Sequence, residues 1–400
     1  MFRALCLCAI AVSLAACSAV AIAKKPKPHA QGHGHASKPT ASDNDPDVVT
    51  YGRRDDVARF GAELAERRNL DPAWVKAALE QARFVPNVAK FIMPAPAGTA
   101  KNWAAYRARF VEPVRIRAGV AFWRANEKWL KKAEEVFGVP PEIVVGIIGV
   151  ETIYGQQMGG FRVIDALATL AFDFPPGRKD RSLFFRDELE SYLLMCHLQA
   201  IDPLQLKGSY AGALGMPQFM PSSVNKYAID FDGDGHIDLH ANTADVIGSV
   251  AHYLAEFGWQ RELPTRFDVA APVDTSDRAV LLGPDIRPSF TVEQFIERGA
   301  KLDAQALSAH TKPADRQDLQ SDEVSGGISA GPTSEPTAVP KNDAMMLALV
   351  ELQNGDAAPS YVAGTRNFYA ITRYNWSSYY AMAVIDLGEA VAREIARKPR

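Results

Sequence analysis

Val139-Pro-Pro-Glu-Ile-Val-Val-Gly-Ile-Ile-Gly-Val150, followed at once by Glu151-Thr-Ile-Tyr-Gly155, is the stretch on which the reading of this chain turns. Its Ile/Val run taken alone fits a buried strand. The pair Pro140-Pro141 in front, Gly155 behind and the length between them predict a helix instead. Such a helix is apolar on every side and belongs inside a core. Gly146 and Gly149, three residues apart, let another helix or a ligand approach its backbone. Glu151 stands out against that background. Desolvation disfavours a charged carboxylate and raises its pKa, which suits a general acid working near neutral pH. The alternatives are a buried glutamate satisfied by hydrogen bonds, or one on the wet side of a helix end.

Helical signals continue on both sides. Val57, Phe60 and Leu64 mark one amphipathic stretch. Asp71-Pro72 supplies an N-cap and a first-turn proline for the next, with Val75 and Leu79 inward. Ile116, Val120 and Trp123 mark a third, Val246, Val250 and Phe257 (closed by Gly258) a fourth, and Val384, Leu387, Val391 and Ile395 a last. Strand signals are few, near Arg266–Val269 and Phe368–Ile371. The fold class is therefore mainly α with a minor β part. Residues 310–343 are polar, rich in Ser, Gly and Pro and without periodicity, and are predicted to be a disordered insertion between a region 47–309 and its C-terminal part 344–400.

With 400 residues, 47% of them hydrophobic and 23% charged, the chain is long enough for two domains or one large lobed domain. A formal charge of -3 gives no reason to expect a nucleic-acid partner. Met1-Phe-Arg3, the apolar run from Ala4 to Leu14 and the closing Leu14-Ala-Ala-Cys17 read as an export signal within residues 1–23, too short to span a bilayer. Leu14-Ala-Ala-Cys17 resembles the bacterial lipobox, in which Cys17 is lipidated; Ser18 after it points to the outer membrane. The other reading is cleavage after Ala21-Ile-Ala23, giving a soluble periplasmic protein. Residues 24–46 hold too little apolar content to fold and read as a tether. Cys6 and Cys8 lie in the leader, so only Cys196 remains besides Cys17, and no disulfide framework follows. Cys196 shares helical spacing with Phe185, Leu189 and Tyr192 and reads as an inert core thiol.

Two further segments carry chemistry. Gly208-Ser-Tyr-Ala-Gly-Ala-Leu-Gly-Met-Pro-Gln-Phe-Met-Pro-Ser-Ser223 is a loop punctuated by Gly and Pro. Its Gln218, Ser222 and Ser223 offer polar groups beside the Phe219 ring, the pattern on which sugar rings bind. Asp230-Phe-Asp-Gly-Asp-Gly-His-Ile-Asp238 sets Asp230, Asp232, Asp234 and Asp238 at positions one, three, five and nine of an EF-hand-like calcium loop, with glycine at six and His236 at seven. Position twelve is Ala241 rather than the usual glutamate. Closely spaced aspartates repel one another without a cation, which points to a structural Ca2+; sodium or a metal-free turn cluster is the alternative.

Taken together, these segments resemble the lytic murein transglycosylase B family. The resemblance covers most of residues 50–400 outside the insertion. It rests on Phe122-Trp123, Gly138-Val-Pro-Pro-Glu142, Ile147-Ile-Gly-Val-Glu-Thr152, Tyr154-Gly155, Leu167-Ala-Thr-Leu-Ala-Phe-Asp173, Gly212-Ala-Leu-Gly215, Gln218-Phe-Met-Pro-Ser-Ser223 and Ile371-Thr-Arg-Tyr-Asn375. Many ordered matches are specific where any one is weak. The resemblance implies a lysozyme-like helical catalytic domain with an additional helical lobe. It also implies cleavage of the β-1,4 bond between N-acetylmuramic acid and N-acetylglucosamine of peptidoglycan, leaving a 1,6-anhydro end, with no cofactor for the chemistry.

On that resemblance Glu151 matches the single catalytic glutamate, and Ser209, Gln218, Tyr253, Tyr374 and Asn375 match substrate-binding positions. Asp245 matches the acid that completes the calcium loop. Of the family's paired arginines, which meet the peptide stems, only Arg181 has a counterpart; Lys179-Asp180 stands beside it. Asp165 and Asp173, candidates for a second acid, read as braces of the structure. Two other functions stay open at this point: a non-catalytic peptidoglycan-binding lipoprotein, and a muramidase that admits water.

Overall fold

The computed structural model describes residues 49–93, 101–303, 306, 308 and 345–397. The leader with Cys17, the tether and the insertion lie outside the described residues. The described chain is mainly helical and divides into two compact units. The first holds residues 49–93, 105–256 and 382–397; the second holds 101–104, 257–303, 306, 308 and 345–381. The break after Glu256 falls inside the stretch 47–309, and residues 257–303 supply strands to a sheet completed by residues beyond the insertion.

In the first unit the stretch 139–155 forms the helix Pro141–Thr152, with Pro140 and Pro141 at its start as expected. Every residue from Ile143 to Val150 is buried, so this helix has no wet face along that length, and each Val or Ile side chain contributes about 1.5–3 kcal/mol by leaving water. The two glycines face partners as the spacing predicts. A Cβ on Gly146 would stand 2.3 Å from the backbone oxygen of Val384, and one on Gly388 would stand 2.0 Å from that of Glu142. Gly146 and Gly388 therefore bring the helix Ser378–Ala396 into backbone contact with the Glu151 helix. The neighbouring helix Asp55–Arg68 buries Val57 and Leu64, and Asp71 caps Pro72–Glu80 by accepting from Ala73 N at 2.9 Å.

One stripe differs from its reading. The helix Pro113–Ala125 buries Arg115, Gly119 and Phe122 and leaves Ile116, Val120 and Trp123 half-buried. The Tyr154 ring decides this, since a Cβ on Gly119 would lie 2.4 Å from its hydroxyl. Cys196 is a buried free thiol whose pKa burial pushes up to about 12, in keeping with an inert core thiol.

The second unit is built on a five-stranded antiparallel sheet, ordered Phe290–Thr291, Met346–Asn354, Ala357–Gly364, Arg266–Ala270 and Lys301–Leu302. Phe267, Leu281, Phe295, Leu347, Leu349 and Ala363 form its core. The strand expected at Arg266–Val269 is present. The one expected at Phe368–Ile371 is instead part of the helix Arg366–Thr372. Thr365 caps that helix by accepting from Asn367 N, and Phe368 and Ile371, three apart, fall on one buried face.

Candidate active site

Glu151 is half-buried, the exception among the buried residues from Ile143 to Thr152. The helix end that carries it is held by an unusual turn. Ile153, Tyr154 and Gly155 have φ of 51°, 56° and 86°. A β-branched residue in the left-handed region is strained and persists only where its surroundings fix it. Here Ile153 N donates to Gly149 O at 3.2 Å and Tyr154 N to Ile148 O at 3.3 Å, closing the helix. The Tyr154 hydroxyl is buried between Gly119 and Gly149 with no hydrogen-bond partner among the described residues.

The next residue ties Glu151 to the glycine-rich loop. Thr152 Oγ1 donates to Met216 O at 2.9 Å and accepts from Gly155 N at 3.0 Å. Met216 N in turn donates to Leu239 O at 2.8 Å, and a Cβ on Gly215 would meet that same oxygen at 2.3 Å. The end of the Glu151 helix, the 208–223 loop and Leu239 beside the aspartate-rich loop are thus joined in series, first through the Thr152 hydroxyl and then through a backbone hydrogen bond.

A residue that sequence reasoning missed faces the acid. Tyr106, in the helix Trp103–Phe110, is half-buried; burial first, and then the negative charge of Glu151, push its hydroxyl up to about 12. A phenol protonated across the working range beside a carboxylate can donate a hydrogen bond to it. In one sequence Tyr106 looks like any aromatic of an amphipathic helix, and nothing local could have singled it out.

The expected sugar contacts are placed unevenly. Ser209 is 8% exposed, and its Oγ accepts from Ala211 N at 3.3 Å and Ala213 N at 3.0 Å, which leaves its proton to donate. Gln218 has a φ of 51°, and its Nε2 donates to Gly215 O at 2.9 Å and Met158 O at 3.2 Å, so its side-chain oxygen is the group turned away from the loop. Phe219 corrects the reading: at 2% exposure it is a core residue packed on Tyr253 with ring centres 5.4 Å apart, and it offers no face to a sugar. Tyr253 is 7% exposed. Ser222 is turned inward, giving its N–H and hydroxyl to the buried Glu188 carboxylate at 2.9 and 2.7 Å. Arg181 lies over the Phe184 ring at 4.4 Å. Tyr374 and Asn375 belong to the second unit, where Tyr374 stacks on Tyr380 and the buried Asn375 Oδ1 has no hydrogen-bond partner among the described residues.

Neither candidate for a second acid is free. Asp165 accepts from Arg83 N at 2.9 Å and pairs with Arg162 at 2.7 Å; Asp173 accepts from Tyr51 Oη at 2.6 Å and Arg54 at 2.8 Å. Both brace the structure, as read.

In the aspartate-rich loop, carboxylate oxygens of Asp230, Asp232 and Asp245 lie within 4.8 Å of one another. Asp245 is fully buried; burial, and behind it the like charges of Asp232 and Asp230, raise its pKa. A buried acid facing two others fits a cation, which would relieve both effects. Asp234, His236 and Asp238 stand outside that group; Asp234 Oδ1 accepts from His236 N, and Asp238 Oδ1 from His240 N and Ala241 N.

The transglycosylase SLT domain family matches residues 52–389. The chain belongs to that family. It is a lytic murein transglycosylase, an enzyme of peptidoglycan. Over 350 residues it is 36% identical to membrane-bound lytic murein transglycosylase B of Escherichia coli strain K12, a match covering 86% of this chain and 84% of that protein. The Escherichia coli lytic transglycosylase Slt35 in complex with calcium is 33% identical with a TM-score of 0.67, covering 88% of this chain and 97% of that one. SltB3 of Pseudomonas aeruginosa in complex with NAG-anhNAM-pentapeptide is 25% identical with a TM-score of 0.62, covering 84% and 79%.

Proposed function

We propose that the enzyme cleaves the β-1,4 bond from N-acetylmuramic acid to N-acetylglucosamine by internal transfer, with Glu151 as its only general acid and base. The observation that carries this reading is Glu151 itself, a half-buried carboxylate at the end of an apolar helix, beside Tyr106, while the two other candidate acids, Asp165 and Asp173, are committed to bracing contacts. Glu151 in its protonated form gives its proton to the glycosidic oxygen as the bond to the muramyl C1 breaks. The substrate's own N-acetyl oxygen closes on C1 and carries the developing charge, as in substrate-assisted glycosidases that need one carboxylate. Glu151, now ionised, takes the proton of the muramyl C6 hydroxyl while that oxygen attacks C1, and the bond from C1 to the acetyl oxygen breaks, its electron pair restoring the neutral acetamide. The products are a free N-acetylglucosamine end and a 1,6-anhydro end, the proton is back on Glu151, and no water has been consumed. Tyr106 hydrogen-bonds the carboxylate between the two proton transfers.

Ser209, Gln218, Tyr253, Tyr374 and Asn375 bind the glycan, and Arg181 meets the peptide stem; the ligand in the SltB3 complex supports both the anhydro product and a stem-bearing substrate. Asp230, Asp232 and Asp245, with Asp234, His236 and Asp238 around them, hold a structural Ca2+, which the calcium complex of Slt35 supports. The ion takes no part in the chemistry and stiffens the loop that Leu239 joins to Met216. The enzyme works in the periplasm, attached to the outer membrane through lipidated Cys17; no helix among the described residues is long and apolar enough to cross a membrane. Weighing the ends released from purified peptidoglycan tests the reaction. Anhydro muramyl ends, lighter by one water than hydrolysed ones, are expected, and hydrolysed ends would make the enzyme a muramidase.

A further inference from the structure

We infer that Arg115 is a positioning residue that holds Glu151 and Tyr106 face to face by joining the last turns of the two helices that carry them. The inference rests on the assignment of Glu151 as the acid and base.

Arg115 is 8% exposed, and among the described residues no carboxylate lies within ion-pair distance of its guanidinium. The nearby Glu112 carboxylate is committed to the helix start, accepting from Val114 N at 2.7 Å and Arg115 N at 2.6 Å. Burying a guanidinium without a counter-anion is costly, and burial accordingly lowers its pKa. An apolar side chain of similar volume would fill the space without that cost, so what the guanidinium holds is the informative part.

It holds two backbone carbonyls. Nε donates to Gly149 O at 2.9 Å, two residues before Glu151. Nη1 donates to Arg109 O at 2.5 Å, three residues after Tyr106. Both carbonyls lie in the last turn of a helix, where a cation is favoured by the helix dipole; Gly149 O also accepts from Ile153 N at 3.2 Å, so the guanidinium adds a second, charged donor there. The guanidinium plane also lies 5.1 Å over the Phe110 ring, the closing residue of the Tyr106 helix. Immediately after Tyr106, Arg107 is paired with Asp386 at 2.5 Å. The turn that follows Tyr106 is thus held at two points, and Arg115 makes a fork-shaped link from the Tyr106 helix to the Glu151 helix. Gly119 and Gly149 open the seam in which that link runs beside Tyr154. A guanidinium suits the task because its donors diverge from one rigid plane.

The test compares full-length wild type with Arg115→Met, Tyr106→Phe and the double variant on purified glycan strands. A misplacement near 1 Å costs about a hundredfold in rate, so kcat of Arg115→Met is expected to fall by roughly tenfold to a hundredfold while KM stays within about twofold. The two changes are expected to be non-additive, the double variant being no slower than the slower single one, because both act through the same contact. Arg115→Lys, which keeps the charge but one nitrogen in place of the fork, is expected to recover part of kcat, and it carries the same comparison with Tyr106→Phe if Arg115→Met does not fold. Unchanged kcat, a loss confined to KM, or losses that multiply in the double variant overturns the inference. If Glu151→Gln keeps near-normal turnover, the underlying assignment fails instead, whatever the Arg115 variants do.

Discussion

Gly146→Ala probes the packing that places the catalytic helix. A Cβ at this position would meet the backbone oxygen of Val384 at 2.3 Å and its carbonyl carbon at 3.1 Å, whereas ordinary contact begins at 3.4 Å. A backbone carbonyl inside a helix cannot rotate away, so the helices Pro141–Thr152 and Ser378–Ala396 must separate by roughly 1 Å. A gap of that size forfeits a quarter to a half of the dispersion energy of the atoms along the seam, and overpacking of this kind costs about 1–3 kcal/mol. The upper end applies, because the glycine contact recurs at Gly388 against Glu142 O and both ends of the seam must open together. Alanine returns about 1 kcal/mol through helix propensity. The net loss is about 2 kcal/mol, which lowers Tm by about 4–8 °C in a unit of this size. The assay is a calorimetric melt beside Gly160→Ala, a control at a glycine whose Cβ would meet nothing within 4 Å; that control stays within about 0.5 kcal/mol of wild type. A Gly146→Ala protein melting at or above wild type would refute the argument.

Added Ca2+ is expected to raise Tm of metal-free protein, by about 2.7 kcal/mol of stabilisation at a hundred times its Kd, and Asp245→Asn should remove the response; melts identical with and without chelator would reject the site. Burial holds the Glu188 carboxyl above its ordinary 4.5, so the folded state keeps a proton that the unfolded chain releases, and stability falls as pH rises above that value. Glu188→Gln has no such titration, so the Tm of the variant minus that of wild type should grow more positive from about pH 4 to pH 7; a constant difference would contradict it. Cys17→Ala should move the enzyme from the membrane fraction to the soluble one with activity intact, since bacterial lipoproteins carry several acyl chains and stable anchoring needs more than one. Wild-type enzyme already soluble and beginning at Lys24 would replace the anchor by ordinary signal cleavage.

What was legible in the sequence and what was not divides along a physical line. The Glu151 helix was readable because prolines fix its start and because eight consecutive residues of Ile, Val and Gly, 143–150, have nowhere to go but a core. Asp71 was readable as a cap for the same local reason. The hairpin Met346–Asn354 and Ala357–Gly364 went unread, since Leu347, Ala348, Leu349 and Val350 are all buried and leave no alternation. Asn354-Gly355, with a φ of 64° at the glycine, was the turn signal that could have found it. Phe368–Ile371 was misread because aromatic and β-branched residues suggest a strand while the Thr365 cap, a single hydroxyl, decides for helix. Around the acid, the residues that do the holding are invisible to pattern. Arg115 lies off the stripe that the sequence suggested, on the buried face with Gly119 and Phe122, Thr152 works through one hydroxyl, and Tyr106 meets Glu151 only in the folded chain. Phe219 erred the other way: an aromatic in a glycine-rich loop looked like a platform, and the structure uses it as core.

The most direct test of the account is the rate at which Glu151→Gln releases 1,6-anhydro muramyl ends from purified peptidoglycan. The substitution keeps the side chain's size and removes the proton that is passed to the leaving oxygen and taken back from the C6 hydroxyl. A protein with wild-type Tm and glycan affinity and a release rate lower by about 10²–10⁴-fold is the predicted result. Release at close to the wild-type rate would contradict the assignment of Glu151 and, with it, the mechanism.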